Sequence, residues 1–304
     1  MTSLSGRDLL SLNDLSPTEL TDLLDFAADL KAGKQQPQFP HKVLGLLFRK
    51  ASTRTRVSFS VAMYQMGGQV LDLHAGVTQV SRGEPTSDTA RVLDRYLDVV
   101  AIRTFDQAEL QEFADYATIP VINALTDLEH PCQILADLLT IQAEFGSLKG
   151  LTLAYLGDGN NVANSLLLGC AMVGMTVHIA CPDGYAPDAS VVSQAEALAG
   201  PGQVLITSDP QAAVKQAQVL YTDVWASMGQ ESVADQRLPI FQPYQVNDAL
   251  LASAQADAIV LHCLPAHRGE EITASVLEGA ASRVWDQAEN RMHAQKALLA
   301  SVLS

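Results

Sequence analysis

Residues 43–56 read VLGLLFRKASTRTR, a stretch that contains a strand, a loop and the start of a helix. The run Val43–Phe48 is apolar throughout and has the length of a buried strand, whereas Ser52–Met66 has the spacing of a helix. A helix that directly follows a buried strand is typical of a parallel sheet covered by helices. This stretch therefore predicts an α/β fold.

Strand and helix patterns alternate on both sides of this stretch, with a short break at residues 146–150. Upstream, Ser16-Pro17-Thr18-Glu19 is a capping box that opens the first helix. Further strands are predicted at Val70–Leu73, Val99–Arg103, Pro120–Ala124, Leu151–Leu156, Thr176–Cys181, Val204–Thr207, Val219–Val224 and Ala258–Leu261. Further helices are predicted at Ser87–Tyr96, Ala108–Ala117, Pro131–Phe145, Asn161–Val173, Ala189–Leu198, after Asp209 and at about Asp286–Leu303. The alternation predicts two α/β domains, each a parallel sheet flanked by helices, divided at the break.

Composition limits the class of protein. The chain has 304 residues, of which 48% are hydrophobic and only 17% charged, so it has enough apolar residues for two domain cores. A net charge of -15 argues against nucleic acid and anionic membranes as partners, although a local arginine cluster can still bind a small anion. The four cysteines form no Cys-x-x-Cys pair, and their spacing suggests neither a zinc site nor a disulfide framework. A reducing cytoplasm is therefore the expected compartment. Met1–Leu15 is too polar and acidic for a signal peptide.

The loop after Val43–Phe48 has the composition of an anion site. Parallel sheets bind ligands at the carboxyl ends of their strands, and this loop leads into a helix whose N-terminus offers N–H groups and a positive dipole end. Ser52, Thr53 and Thr55 add hydroxyl groups, and Arg54 adds a planar fork of donors. A serine that only caps the helix, with the arginines in solvent, explains the pattern equally well.

Polar residues in other predicted loops also have both a functional and a structural explanation. Arg103 ends a strand, where an arginine is usually solvated. His130 and Gln133 open a helix, where imidazole and amide groups can donate to a carbonyl oxygen. A single histidine at the start of a helix is nevertheless more often structural.

Four later segments are equally ambiguous by themselves. Gly157–Asn161 follows a strand and opens a helix, but it lacks the third glycine of a dinucleotide loop, and its paired asparagines suit an amino-acid substrate better. Asp223, at a strand end, can bind an ammonium group or cap a turn. Cys263 can be a plain buried residue, and Arg291 a surface residue of the last helix.

Together these segments resemble the aspartate/ornithine carbamoyltransferase family. Phe48–Phe59 is similar to the carbamoyl-phosphate signature of that family, His130–Gln133 to its second signature, and Arg82–Leu93 to a further family segment. The resemblance extends in matching order from about residue 8 to the C-terminus, with one departure at Ser60, where the family has an acidic residue. The segments that resemble the ornithine branch in particular are Gly157–Asn161, Asp223–Glu231 and His262–Glu271.

The resemblance implies a carbamoyl phosphate-binding domain at residues 1–146, completed by a returning helix at about 286–304, and an ornithine-binding domain at 147–285. It also implies a homotrimer, or a multiple of trimers, with no metal and no cofactor. The residues implied to bind carbamoyl phosphate are Ser52, Thr53, Arg54, Thr55, Arg103, His130, Gln133, Cys263, Leu264 and Arg291. The residues implied to bind ornithine are Asn161, Asp223, Ser227 and Met228. The residues implied to be catalytic are Arg54, Arg103, His130, Asp223 and Cys263.

The activity that the resemblance implies is attack of the neutral δ-amine of L-ornithine on carbamoyl phosphate, giving citrulline and phosphate in arginine metabolism. A transferase for putrescine or an N-acylated ornithine is an alternative, against which the Asp223 and Cys263 segments argue. A nicotinamide dehydrogenase built around Gly157 is disfavoured by the missing glycine. A silent carbamoyl phosphate-binding regulator is disfavoured by the complete set of matched residues.

Overall fold

The structure is a computed structural model that describes residues 4–74, 76, 78–226 and 234–304. The chain divides into two compact units. The first unit comprises Met1–Leu139 and Asn290–Ser304, and the second comprises Thr140–Glu289. Within the described ranges, no helix has the length and apolar character needed to cross a lipid bilayer.

The first unit is built on a parallel sheet of four strands. These strands are β1 (Val43–Phe48), β2 (Gln69–His74), β3 (Val99–Arg103) and β4 (Val121–Leu125). Their order across the sheet is β2-β1-β3-β4, so the chain leaves β1 towards one edge and then places β3 on the other side of β1. The direction of winding changes between β1 and β3, and open α/β sheets bind ligands at the carboxyl ends of strands at such a point.

The second unit is built on a parallel sheet of five strands. These strands are β5 (Thr152–Leu156), β6 (Thr176–Ala180), β7 (Val204–Thr207), β8 (Val219–Thr222) and β9 (Ile259–His262). Their order is β7-β6-β5-β8-β9, so the winding changes between β5 and β8. The loops that follow β5 and β8 are therefore the expected ligand-binding loops of this sheet.

Helices flank these strands, and most of them lie between two strands as the crossover connections that parallel pairing requires. In the described part of the chain they are α1 (Pro17–Lys31), α2 (Arg54–Gln65), α3 (Thr86–Leu93), α4 (Gln107–Tyr116), α5 (Pro131–Phe145), α6 (Asn161–Met172), α7 (Ala189–Leu198), α8 (Pro210–Val214), α9 (Ala234–Phe241), α10 (Asp248–Leu251), α11 (Ala274–Leu277) and α12 (Val284–Leu303). Short 3₁₀ turns lie at Leu12–Asp14, Gln79–Arg82 and Gln242–Tyr244.

The fold class predicted from the sequence is confirmed: two parallel sheets are flanked by helices, and a long helix ends the chain. The capping box at the start of α1 is present, because the Ser16 side chain accepts from the Glu19 N–H and the Glu19 carboxylate accepts from the Ser16 N–H. Leu44 and Leu46 on β1 are fully buried, as an apolar run in a covered sheet requires.

One predicted boundary is wrong in an informative way. The helix expected to start at Ser52 starts at Arg54, and Thr53 occupies the N-cap position without a side-chain capping bond. The alternative interpretation of Ser52 as an ordinary helix cap is therefore incorrect. The hydroxyl groups of Ser52 and Thr53 are not used to cap α2.

Candidate active site

The loop between β1 and α2 lies where the winding of the first sheet changes. The N–H groups in the first turn of α2 have no acceptor within the helix, and the helix dipole places partial positive charge there. Ser52 and Arg54 are half-buried, Thr53 is exposed and Thr55 is buried. The segment thus combines backbone donors, hydroxyl groups and a guanidinium at one end of a helix, which is a suitable arrangement for a phosphate.

A histidine surrounded by positive charge lies beside this loop. His130 immediately precedes α5 and is 4% exposed. Burial and then the charges of Arg291, Arg103 and Arg54 hold the pKa of His130 well below its ordinary value. At neutral pH the imidazole is therefore uncharged, and each ring nitrogen is either a hydrogen-bond donor or an acceptor.

The three guanidinium groups around His130 come from different parts of the first unit. Arg54 is the first residue of α2, Arg103 the last residue of β3, and Arg291 lies in α12. Arg103 and Arg291 are both almost fully buried. The sequence interpretation of Arg291 as a surface arginine is therefore wrong. A concentration of like charge in a desolvated place favours the binding of a small anion.

Arg291 is joined to the loop directly. Its Nη2 donates to Thr55 Oγ1 over 2.6 Å, and Thr55 is 1% exposed. This bond links α12 to the first turn of α2, although the two residues are far apart in the sequence. The structure therefore brings together four of the residues that the sequence analysis selected: Arg54, Arg103, His130 and Arg291.

Gln133 lies in the first turn of α5, with its amide held in a fixed direction. Its Nε2 donates to Oδ1 of the fully buried Asp137 over 2.8 Å. Among the described residues its Oε1 accepts no hydrogen bond. The amide thus presents an acceptor, which suits an N–H group better than the carbonyl oxygen expected from the sequence.

Cys132, in the same motif, is a core residue and presents no group to a ligand. It is fully buried, its Sγ donates to the Asn123 carbonyl, and burial raises its pKa to about 12. The thiol therefore stays protonated near neutral pH and is not a nucleophile.

In the second unit, polar residues lie together at the carboxyl ends of three neighbouring strands. Asp223 follows β8 and is 6% exposed. Its Oδ2 accepts from Asn160 Nδ2, in the loop after β5, over 2.9 Å. Its Oδ1 accepts from the thiol of Cys263, directly after β9, over 2.9 Å. A nearly buried carboxylate with both oxygens oriented is a suitable partner for an ammonium group.

Four further residues predicted for the two substrate sites belong to this unit: Asn161, Leu264, Ser227 and Met228. Asn161 is the first residue of α6 and is half-buried, beside the residue that contacts Asp223. Leu264 follows Cys263 with a φ of 59°, in the left-handed region that is uncommon for a residue other than glycine. Its N–H donates to His262 Nδ1, which fixes the turn. Ser227 and Met228 lie outside the described residues.

Sequence comparison places the chain in a family. The profile of the aspartate/ornithine carbamoyltransferase carbamoyl-P binding domain matches residues 7–143, and that of the Asp/Orn binding domain matches residues 149–302. The chain belongs to the aspartate/ornithine carbamoyltransferase family. The resemblance noted from the motifs is thereby confirmed.

Relatives within this family are similar over their full length. The chain is 69% identical over 304 residues to the ornithine carbamoyltransferase of Nostoc sp., covering 100% of this chain and 99% of the relative. It is 70% identical to that of Thermosynechococcus vestitus, covering 100% and 98%. The crystal structure of ornithine carbamoyltransferase from Gloeobacter violaceus matches with a TM-score of 0.91 at 58% identity over 99% of each chain. The Pyrococcus furiosus enzyme of the same name matches with a TM-score of 0.95 at 49% identity, over 100% of this chain and 99% of that chain.

Most of α12 belongs to the second domain by sequence profile but to the first compact unit by its packing. The second profile runs to residue 302, whereas Asn290–Ser304 packs with the first unit. Side chains of α12 account for this difference: Arg291 bonds to Thr55, Lys31 to Asn290, and Lys296 to Gln65.

Two residues beside Asp223 were not selected from the sequence. Asp158 pairs with Arg237 of α9 over 2.7 Å, and both side chains are largely buried. The pKa of Asp158 is raised overall, because burial outweighs the lowering by the charge of Arg237, and the charge of Asp223 raises it further. Arg237 also lies over the rings of Tyr185 and Phe241. Its place in the sequence carries no signal of this role, because the two partners are 79 positions apart.

The side chains of Asp223, His262 and Cys263 place three potential metal-ligand atoms within 4.8 Å of one another. Each is already hydrogen-bonded: Asp223 to Asn160 and Cys263, and His262 to Glu271 and to the Leu264 N–H. These bonds account for the clustering of the three side chains, and we assign no metal to them.

Proposed function

We propose that this chain is an ornithine carbamoyltransferase, which joins carbamoyl phosphate to the δ-amine of L-ornithine to give citrulline and phosphate in arginine metabolism. Full-length relatives at 69% and 70% identity carry that name. The single observation that carries the chemistry is the convergence of Arg54, Arg103 and Arg291 on an uncharged His130.

The proposed carbamoyl phosphate site lies mainly in the first unit, including its returning helix α12. Ser52, Thr53, Thr55 and Arg54 are proposed to hold the phosphate at the start of α2. Arg103, His130, Gln133 and Arg291 are proposed to surround the carbamoyl group and the bridging oxygen. The oriented Oε1 of Gln133 supports a bond from the carbamoyl NH₂.

The proposed ornithine site lies in the second unit. Asp223 is proposed to bind a substrate ammonium, with Asn161, Ser227 and Met228 as further ligands. The two hydrogen bonds that fix the Asp223 carboxylate support this role. Cys263 and Leu264 are proposed as further ligands of carbamoyl phosphate.

In the proposed reaction, the lone pair of the neutral δ-amine attacks the carbonyl carbon and a C–N bond forms. The C–O bond to phosphate then breaks, and phosphate leaves with the electron pair. The amine loses a proton, for which the departing phosphate is the proposed acceptor. Negative charge develops first on the carbonyl oxygen and then on phosphate, and preorganised donors such as Arg54, Arg103 and neutral His130 stabilise it. Bringing two small molecules together supplies much of the remaining rate.

We further propose that the enzyme acts in the cytoplasm as a homotrimer or a multiple of trimers, without nucleic acid or membrane partners. The net charge of -15 supports the absence of polyanionic partners. None of the four cysteines forms a disulfide, as is usual in a reducing compartment. Light scattering coupled to size-exclusion chromatography tests the assembly: a mass that is not a multiple of three chains would contradict it.

The proposed activity is tested by supplying carbamoyl phosphate with each of four acceptors: ornithine, putrescine, N-acetylornithine and aspartate. Citrulline formation should far exceed carbamoylation of the other amines. Equal or faster turnover of putrescine would refute the substrate assignment. In parallel, NADH titration should produce no saturable binding, since saturable binding would favour a dehydrogenase.

A further inference from the structure

The side chain of Asn160 both accepts and donates hydrogen bonds. Its Oδ1 accepts from the N–H groups of Val162, over 2.9 Å, and Ala163, over 3.2 Å, and so caps α6. Its Nδ2 donates to Asp223 Oδ2 over 2.9 Å. One amide therefore caps a helix and holds a carboxylate that follows another strand.

Asparagine is suited to this double task more than other capping residues. Serine, threonine, aspartate and asparagine all cap helices well. Among them, only asparagine has a separate acceptor atom and N–H donor, whereas a hydroxyl group accepts and donates through one atom. An aspartate would cap α6 but would place a second carboxylate against Asp223.

The surroundings of Asn160 are also fixed. Its N–H donates to the Asp158 carbonyl over 2.7 Å, and the Tyr155 hydroxyl donates to the same carbonyl over 2.8 Å. The Asp158 carboxylate is bound by Arg237 instead of competing for the Asn160 amide. On the far side of Asp223, the Cys263 thiol donates to Oδ1. Loops from three adjacent strands therefore determine the orientation of one carboxylate.

We propose that Asn160 is a positioning residue for the amino-acid substrate, acting through Asp223. It holds Oδ2 in the direction that binds the substrate ammonium and keeps the carboxylate from rotating. This inference rests on the proposed function, and it assigns Asn160 a role in ornithine affinity and none in carbamoyl phosphate affinity.

The test compares the same substitution at two helix caps of the second unit. Asn160→Asp keeps the acceptor that caps α6 but replaces the donor to Asp223 with a negative oxygen. Asn247→Asp is the matched control, because Asn247 Oδ1 caps α10 by accepting from the Leu250 N–H. With carbamoyl phosphate saturating, Asn160→Asp should raise the ornithine KM about 10- to 100-fold, the range expected for a lost hydrogen bond to a charged group. Asn247→Asp should leave it near the wild-type value, and neither should change the carbamoyl phosphate KM.

A double-mutant cycle with Asp223→Asn tests whether Asn160 acts through Asp223. In the double variant the donor and acceptor are exchanged, so the loss should be close to that of Asp223→Asn alone. Losses that multiply would show independent roles and overturn the inference. If thermal melting shows that Asn160→Asp does not fold, Asn160→Ser, which keeps a capping oxygen without added charge, takes its place in both comparisons.

The outcomes separate this inference from the function on which it rests. A folded wild-type enzyme that forms no citrulline would overturn both. Wild-type citrulline formation together with an ornithine KM of Asn160→Asp that matches Asn247→Asp would overturn the role of Asn160 alone.

Discussion

Replacing Arg291 with glutamine removes one of the three guanidinium groups around His130, and with it the donor to the hydroxyl of Thr55. Arg291 is 3% exposed, so its contribution to anion binding is little screened by solvent. Loss of a hydrogen bond to a charged group costs about 1.5–3 kcal/mol, and loss of a donor to transition-state charge lowers kcat roughly 100- to 1000-fold. We therefore expect kcat/KM for carbamoyl phosphate to fall by at least about 100-fold.

The stability of the same variant should change little. Removing one of three neighbouring positive charges relieves repulsion, which offsets the lost hydrogen bond to Thr55, so the ligand-free Tm should stay close to the wild-type value. Carbamoyl phosphate at one hundred times its Kd should stabilise the wild type by about 2.7 kcal/mol, and the variant by much less.

The assay combines initial rates of citrulline formation with thermal melts, with and without carbamoyl phosphate. Arg283→Gln is the matched control, because Arg283 forms a partly exposed ion pair with Glu144 just before α12. It should retain activity and the ligand-induced rise in Tm. A folded Arg291→Gln enzyme with wild-type kcat/KM and a wild-type rise in Tm would refute the assignment of the anion site.

Further predictions concern the phosphate loop, the imidazole and the attacking amine. Arg54→Lys should lower kcat/KM for carbamoyl phosphate about 10- to 100-fold, because lysine lacks the planar fork, whereas Arg7→Lys at the exposed pair with Glu19 should have little effect in the same assay. Folding lowers the pKa of His130, so acidification below its unfolded pKa of about 6.5 should destabilise the folded protein. Between pH 7 and 5 the wild type should lose up to about 2 kcal/mol more unfolding free energy than His130→Asn does. Equal losses in denaturation experiments on the two proteins would contradict this. The rate with ornithine at low concentration should rise from pH 6 to 9, since only the neutral amine attacks and its pKa is about 10.4; a flat kcat/KM profile would argue against attack by that amine.

The spacing of apolar residues along the sequence predicted the strands well, because apolar residues mark the positions that are buried. The predicted bounds Val43–Phe48, Val99–Arg103 and Val204–Thr207 agree with β1, β3 and β7. The helices α10 and α11, of four residues each, were not predicted, because a single turn is too short to display a helical period.

The presence of the last helix could be predicted from the sequence, but which of its polar residues are buried could not. The neighbourhood of Arg291 in the sequence is that of a surface helix, and only the family resemblance suggested a role. Its burial depends on packing of α12 against elements more than 200 residues away, such as Thr55 on α2. No local pattern reports such a contact.

Asn160 illustrates how far topology extends a sequence prediction. The helix predicted to start at Asn161 puts Asn160 in the loop that precedes α6. The parallel-sheet rule places it at the same edge as Asp223, because both follow adjacent strands, β5 and β8. The hydrogen bond between them, and the choice of Asn160 over Asn161 as the residue that makes it, required side-chain coordinates.

Isotope-edited NMR of the product follows the one bond that the proposed reaction forms. The enzyme is given carbamoyl phosphate carrying ¹³C at the carbonyl and L-ornithine carrying ¹⁵N at the δ-amine only, and phosphate release is measured in parallel. Attack by the δ-amine predicts citrulline with one-bond ¹³C–¹⁵N coupling at the δ-nitrogen, formed in equal amount to phosphate. Phosphate release without a ¹³C–¹⁵N bond, or a carbamoyl group on the α-nitrogen, would contradict it.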